Sequence, residues 1–276
     1  MIGGPARQAT SWGPVTDVGA FLLAYDQQLR TDAETPSAIA VARLGSLRLA
    51  RLSRAQGFVS YPHPYGDEAE QLAQLVGQVL DHFREGPEVT EVEWKTRGHD
   101  RAPGLHESLL DNAFGPQEPE SIMIGRAQLL CADVALPLGV TLRQVSDEDD
   151  VWAMVAMQDK VFKRAMTDET ARGLLRRLAA GDGMELWVAE AEDQIVAAGR
   201  LDPVPGTDFA GIWGGATLEA WRGRGIYRAL TAARARSALA VGKTLIHSDS
   251  TGYSRPILER SGFVKVSTTT PYIWRR

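Results

Sequence analysis

The chain predicts an α/β protein of the α+β type, in two domains that are each a mixed, largely antiparallel central sheet flanked by helices. Three observations carry this. With 276 residues, the chain has room for about two domains of ordinary size. Short runs of strand-like alternation and longer runs at helical spacing follow one another along its length. The stretches Leu109-Leu-Asp-Asn-Ala-Phe114 and Leu258-Glu-Arg-Ser-Gly-Phe263 align with their phenylalanines matched, and each closes a strand, helix, strand, short-helix series, so the chain reads as two copies of one fold.

The boundary falls in Cys131-Ala-Asp-Val-Ala-Leu-Pro-Leu-Gly139, which has neither period and is punctuated by Pro137 and Gly139. This gives a first domain of residues 1–136 and a second of 140–276. In the first, Val18, Phe21, Leu22, Tyr25 and Leu29 mark a helix. The runs 39–44, 46–52 and 57–61 read as strands. Leu72, Leu75, Val76, Val79, Leu80 and Phe83 then recur at helical spacing, followed by a strand over 91–95, a short helix over 105–110 and a last strand over 122–124.

In the second domain Val140-Thr-Leu-Arg-Gln-Val145 alternates as a strand, and Ser146 with the acids after it opens a helix through Val151, Met154, Val155 and Phe162. Thr167-Asp-Glu opens another, carrying Leu174, Leu175 and Leu178. Runs 185–190, 195–201 and 209–218 form an antiparallel meander, turned at Glu192-Asp193 and at Pro203 to Gly206. A helix follows, with Ile226, Leu230, Ala233, Ser237 and Val241 on one face, then a strand over 243–248, a short helix over 254–260 and one or two closing strands over 263–274.

Composition excludes several classes. Hydrophobic residues at 44% and charged residues at 24% are globular values. No apolar run approaches the roughly 20 residues of a bilayer span, so no membrane partner is expected. The amino terminus lacks an apolar signal core, and the single Cys131 forms no internal disulfide, which fits a cytoplasmic location. A net charge of -5 argues against nucleic acid as a partner. His63, His82, His99 and His106 show no metal-ligand spacing, so no metal is expected.

The charge is uneven: 221–236 carries five arginines and no acid. There Arg222-Gly-Arg-Gly-Ile-Tyr-Arg228 leaves a strand and opens a helix. The first-turn N–H groups of a helix lack internal partners and sit at the positive end of its dipole, which suits a phosphate. Gly223 and Gly225 allow close backbone approach, and Arg222, Arg224 and Arg228 add charge. A dinucleotide fingerprint fails, because Arg228 takes the third glycine position and the preceding strand closes a meander. A P-loop fails for want of Gly-Lys-Ser or Gly-Lys-Thr. Gly214-Gly215 inside a strand indicates a bulge or the close approach of another group, a place for a ligand.

Arg222-Gly-Arg-Gly225 after a meander, with strand, short helix and Ser261-Gly-Phe263 behind it, resembles the GCN5-related N-acetyltransferase (GNAT) superfamily over residues 140–276. That family's signature is Arg or Gln, two residues, Gly, one residue, then Gly or Ala. The resemblance implies acetyl-CoA as acyl donor, bound by Ala216, Thr217, Leu218, Arg222, Gly223, Arg224, Gly225, Ile226, Tyr227 and Arg228. It implies direct attack by an amine, on a small molecule or a protein, with the strand before the turn lending a backbone N–H to the thioester carbonyl. The first domain resembles a degenerate copy, reading Tyr61-Pro-His-Pro-Tyr-Gly66 at the equivalent turn. The chain departs from the pattern twice: Tyr227 stands where Gly or Ala is usual, and Leu258 stands where many members have the tyrosine that protonates the leaving thiolate.

Tyr253 and Ser250 are the nearest hydroxyl substitutes for that acid. Glu219, Asp202, Asp208 and His247 are candidates for base or for ordinary surface and packing roles, and the sequence does not choose among them. A lone strand histidine is expected to be satisfied by local hydrogen bonds. Trp213 and Trp187 are candidates for a substrate pocket. A monomer or homodimer is expected, and a tandem pseudoenzyme that senses acyl-CoA or mediates protein contacts is the competing reading.

Overall fold

The computed structural model describes residues 17–36, 38–62, 69–163 and 168–276, with backbone only for 69–73. Most of the Tyr61–Gly66 turn, His63, Thr167, the amino-terminal segment and the side chain of Leu72 lie outside the described residues. The first region runs α1 (Val18–Leu29), β1 (Ala40–Leu44), β2 (Leu47–Arg51), β3 (Gln56–Ser60), α2 (Ala69–Glu85), β4 (Glu91–Arg97), α3 (Leu105–Asp111), β5 (Gly115–Pro116), β6 (Glu120–Arg126) and α4 (Ala127–Leu130). The second runs β7 (Val140–Val145), α5 (Glu148–Phe162), α6 (Asp168–Ala180), β8 (Glu185–Ala191), β9 (Gln194–Pro203), β10 (Phe209–Thr217), α7 (Ile226–Ala240), β11 (Leu245–Ser250), α8 (Arg255–Arg260) and β12 (Val264–Arg275).

Local chemistry accounts for most boundaries. Asp17 caps α1 through its side chain, and Asp147, not Ser146, caps α5, accepting from Asp150 N at 2.9 Å. Glu192 and Asp193 both take left-handed φ, 52° and 58°, as a two-residue hairpin with right-handed strand twist requires. The matched short helices end alike. Phe114 N donates to Leu109 O at 2.9 Å and Phe263 N to Leu258 O at 3.1 Å, each across a left-handed residue, Ala113 and Gly262. Val241, expected on the α7 face, is the exposed cap beyond that helix.

Among the described residues all twelve strands join one sheet in the order β1-β2-β3-β4-β12-β6-β11-β10-β9-β8-β7, with β5 beside β12. The repeat is visible in it: an antiparallel meander leads through a helix to a parallel strand both at β3 and β4 and at β10 and β11. What the sequence did not predict is an exchange of closing strands. β6 inserts antiparallel between β11 and the start of β12, while the end of β12, Thr269 to Arg275, pairs with β4 and β5. Each region thereby completes the other's sheet.

Both faces are covered. Helix α2 sets Val79, Leu80 and Phe83 on Val92, Trp94 and Trp274. Helices α7 and α8 pack Ala235, Ala238 and Leu258 on Ala210, Ile212 and Ile246. On the opposite face of the second region, α5 and α6 cover Leu186, Val188 and Ala198. There too α1, from the first region, lays Phe21, Ala24, Tyr25 and Leu29 on Ile122, Phe209 and Leu245.

Candidate functional site

The site is built where β10 leaves the sheet. It pairs with β11 only from Phe209 to Gly211, against Leu245 to His247, and the two parallel strands then part. Beyond Gly211 the β11-facing edge of β10 makes no ladder, while its other edge stays paired to β9. That ladder shifts register between Trp213 and Ala216, which is the bulge expected from Gly214-Gly215. Gly214 takes φ 61°, and its carbonyl accepts from Gln158 Nε2 at 2.7 Å. Gln158 is buried on α5, so the bulge is pinned from the opposite layer.

A 3₁₀ turn, Glu219–Trp221, then carries the chain to Arg222, whose N donates to Glu219 O and whose Nε donates to Thr217 O at 3.1 Å. Gly223 and Gly225 take φ of 73° and 82°, left-handed values that other residues rarely adopt. A Cβ at Gly223 would meet nothing within 4 Å. Gly225 caps α7 with no side-chain hydrogen bond, so the first-turn N–H groups are left without an internal acceptor. Arg222, Arg224 and Arg228 are exposed around this turn. Arg224 lies 4.9 Å from the Trp221 ring and Arg222 6.0 Å from the Tyr253 ring. Open backbone donors, a positive helix end and three exposed guanidinium groups suit a polyanion such as a pyrophosphate.

Tyr227 does not point away from the strand. A Cβ at Gly215 would lie 2.7 Å from Tyr227 Cε2 and 3.1 Å from its hydroxyl. The phenol therefore fills the space that Gly215 vacates, correcting the expectation that this glycine leaves room for a ligand. The departure at 227 and the glycine at 215 are two halves of one packing solution. Beneath them Arg234 is 1% exposed, donating to Leu230 O, Arg200 O and Thr231 Oγ1, with its guanidinium against Gly199. Burial lowers its pKa, and Tyr227 offsets part of that. Of the five arginines, then, Arg234 is a core residue, and Arg236 instead bonds Cys131 O.

The other candidates are placed unevenly. Ala216 and Thr217 hold the end of β10, whereas Leu218 commits its N–H to Val196 O. Tyr253 is exposed beside Arg222, and Ser250 is buried at the end of β11. Glu219 is exposed in the 3₁₀ turn. Trp213 and Trp187 are not brought together. Trp187 packs with Ile226 and Leu230 on the α7 side, while Trp213 stacks edge-on against His247 at 5.2 Å, on the face that Phe209 shares with α1. Asp202 is tied to Arg177 and Arg200, and Asp208 accepts from Gln28 Nε2 at 2.9 Å. Leu258 is core.

His247 departs from expectation. It is 9% exposed, and among the described residues its Nδ1 has no hydrogen-bond partner. Burial brings its pKa down to about 4, against the opposing pull of Asp249. Gln158, Arg234 and Tyr227 are the residues sequence reasoning missed or misread; a polar residue on an otherwise apolar helix face was the available signal for the first two.

Residues 151–263 match the acetyltransferase (GNAT) family. No curated protein matches the chain. Among solved structures, the chain is similar to a GCN5-related N-acetyltransferase from Kribbella flavida, at 16% identity over 94% of both chains with a TM-score of 0.64. It is similar to a functionally unknown conserved protein from Staphylococcus epidermidis, at 14% identity, 89% of this chain and 98% of that one, TM-score 0.63. It is also similar to a tandem GNAT protein from the clavulanic acid biosynthesis pathway, at 13% identity, 95% and 96% coverage, TM-score 0.61. At these identities the likeness is one of fold, and it extends over both regions.

Proposed function

We propose, from the premise that residues 151–263 form a GNAT-family domain, that the chain transfers an acetyl group from acetyl-CoA to a primary amine of a small molecule or protein. Acyl-CoA-dependent N-acyl transfer is the activity the family supports in general; the acetyl donor and the amine acceptor are our reading. Its single strongest support is the Arg222–Gly225 turn, which opens α7 without a side-chain cap behind a bulged strand with an open edge.

In this reading residues 140–276 are the catalytic domain and residues 1–136 a degenerate copy without a cofactor turn. The backbone from Gly223 to Arg228, with Arg222, Arg224 and Arg228, holds the pyrophosphate, and Ala216 and Thr217 flank the pantetheine arm. The thioester supplies the activated acyl group. The protein's part is to orient it along the open edge of β10, where backbone N–H groups stabilise charge developing on the carbonyl oxygen. The amine's lone pair forms the new C–N bond as the C–S bond breaks. The nitrogen gives up a proton and the sulfur takes one, and Tyr253 and Ser250 are our candidates for the hydroxyls that serve that exchange.

Calorimetry on the full chain tests the binding half. Acetyl-CoA is expected to bind, and Arg222→Glu with Gly225→Glu is expected to weaken it at least about tenfold, because two like charges enter an anion site. Equal binding by the double variant overturns the reading. One observation favours a second reading, a catalytically inactive tandem GNAT that senses acyl-CoA or mediates protein contacts: Leu258 is buried where the resemblance implies an acid. It differs by predicting binding without turnover.

A further inference from the structure

Where β10 and β11 part, the face opposite α7 carries a buried polar cluster drawn from both regions of the chain. Lys95, on β4 of the first region, donates to Asp249 Oδ2 on β11 at 2.7 Å and lies 3.9 Å from Glu34 Oε1. Glu34 also takes Arg97, whose side chain is fully buried. The two carboxylates thus meet around one ammonium group, with side chains about nine-tenths buried. Their remaining oxygens, Asp249 Oδ1 and Glu34 Oε2, are buried and have no hydrogen-bond partner among the described residues. Two residues from Asp249 on the same strand face, His247 Nδ1 is likewise buried and unpartnered.

Buried polar atoms in folded proteins are almost always paired, so unmet atoms gathered at one place call for a partner. Two of these are obligate acceptors, and burial keeps the imidazole neutral, with one ring nitrogen able to accept. The electrostatics point the same way. Glu93 and Glu120 face the same cluster, and burial pushes the pKa of each upward, with neighbouring carboxylates adding to it. The carboxylates around Lys95 thus push one another's pKa upward, as an acceptor-rich site does.

We infer that this cluster is the acceptor site, and that the acceptor is a cationic aliphatic amine whose N–H groups donate to Asp249 Oδ1, Glu34 Oε2 and His247 Nδ1. The inference rests on the acyl-transfer reading for the word acceptor, but the site itself is measurable without turnover. It makes the first region a working part of the site: Glu34 binds, and Lys95 positions Asp249.

Calorimetry of the full chain in the presence of coenzyme A, with 1,4-diaminobutane and 4-aminobutyrate as probes, tests it. The diamine is expected to bind at least about tenfold tighter than the amino acid, whose carboxylate faces a carboxylate-rich wall. Asp249→Asn and Glu34→Gln are each expected to weaken the diamine about tenfold while acetyl-CoA affinity is retained, which reports an intact fold. If Asp249→Asn does not fold, Glu34→Gln carries the test. Equal binding of the two probes, no diamine binding, or wild-type diamine affinity in the folded variants overturns the inference. Loss of acetyl-CoA binding in the wild-type chain would instead strike the transferase reading.

Discussion

His247 shows how one residue's surroundings become a property of the whole fold. An ordinary imidazole titrates near 6.5, and this one is held near 4 by burial between Phe209 and Trp213, with Lys95 adding to the depression and Asp249, Asp202 and Glu34 opposing it. The unfolded chain therefore binds a proton that the folded chain refuses between these values. The stabilisation is fully present above pH 6.5 and is lost as pH falls toward 4. Its size is about 3 kcal/mol from a shift of this order. Urea unfolding at pH 7 and pH 4 should show the wild type losing about that much more than His247→Gln; equal losses would contradict the assignment. Sequence reasoning placed His247 on a strand correctly. It could not see that neighbouring strands would bury one ring nitrogen without a partner among the described residues, because burial of that kind depends on which strands lie alongside.

At the scale of elements, the turn at the head of α7 was legible and its packing was not. Two glycines with left-handed φ between arginines announce a tight turn in any context. The match of Tyr227 to Gly215, twelve residues apart in sequence, depends on how α7 docks on β10, and no local pattern encodes that. Gly215→Val should force the ring out of its seat and cost about 1–3 kcal/mol, as overpacking of a filled site does. Adding Tyr227→Ala should recover most of the loss, a coupling of about 0.5–3 kcal/mol typical of residues in contact. Thermal melts of the two single variants and the double variant measure it. Strict additivity would show that the ring does not occupy the space over Gly215. The cap of α5 makes the same point more modestly: Ser146 and Asp147 are both good caps by composition, and only the backbone geometry selects Asp147.

At the scale of the molecule, the matched endings at Phe114 and Phe263 made the repeat legible, while the exchange of β6 and β12 was invisible to it. Each strand reads correctly as a closing strand; which sheet it closes is decided by long-range pairing and by α1 covering Phe209 and Leu245. A fragment of residues 140–276 lacks β6 and α1, leaving β11 with an open edge and an apolar face uncovered. It should fail to give a cooperative melt or a monomeric peak on gel filtration. A stable, monomeric fragment would show that the exchange does not bind the regions into one folding unit. On the function proposed above, this joined molecule moves an acyl group from coenzyme A to an amine. Release of free coenzyme A thiol from acetyl-CoA, followed over a panel of amines, tests it most directly. Release should require both the full chain and an amine and should fall with Arg222→Glu. Saturable acetyl-CoA binding with no amine-dependent release would contradict it and leave the sensor reading in its place.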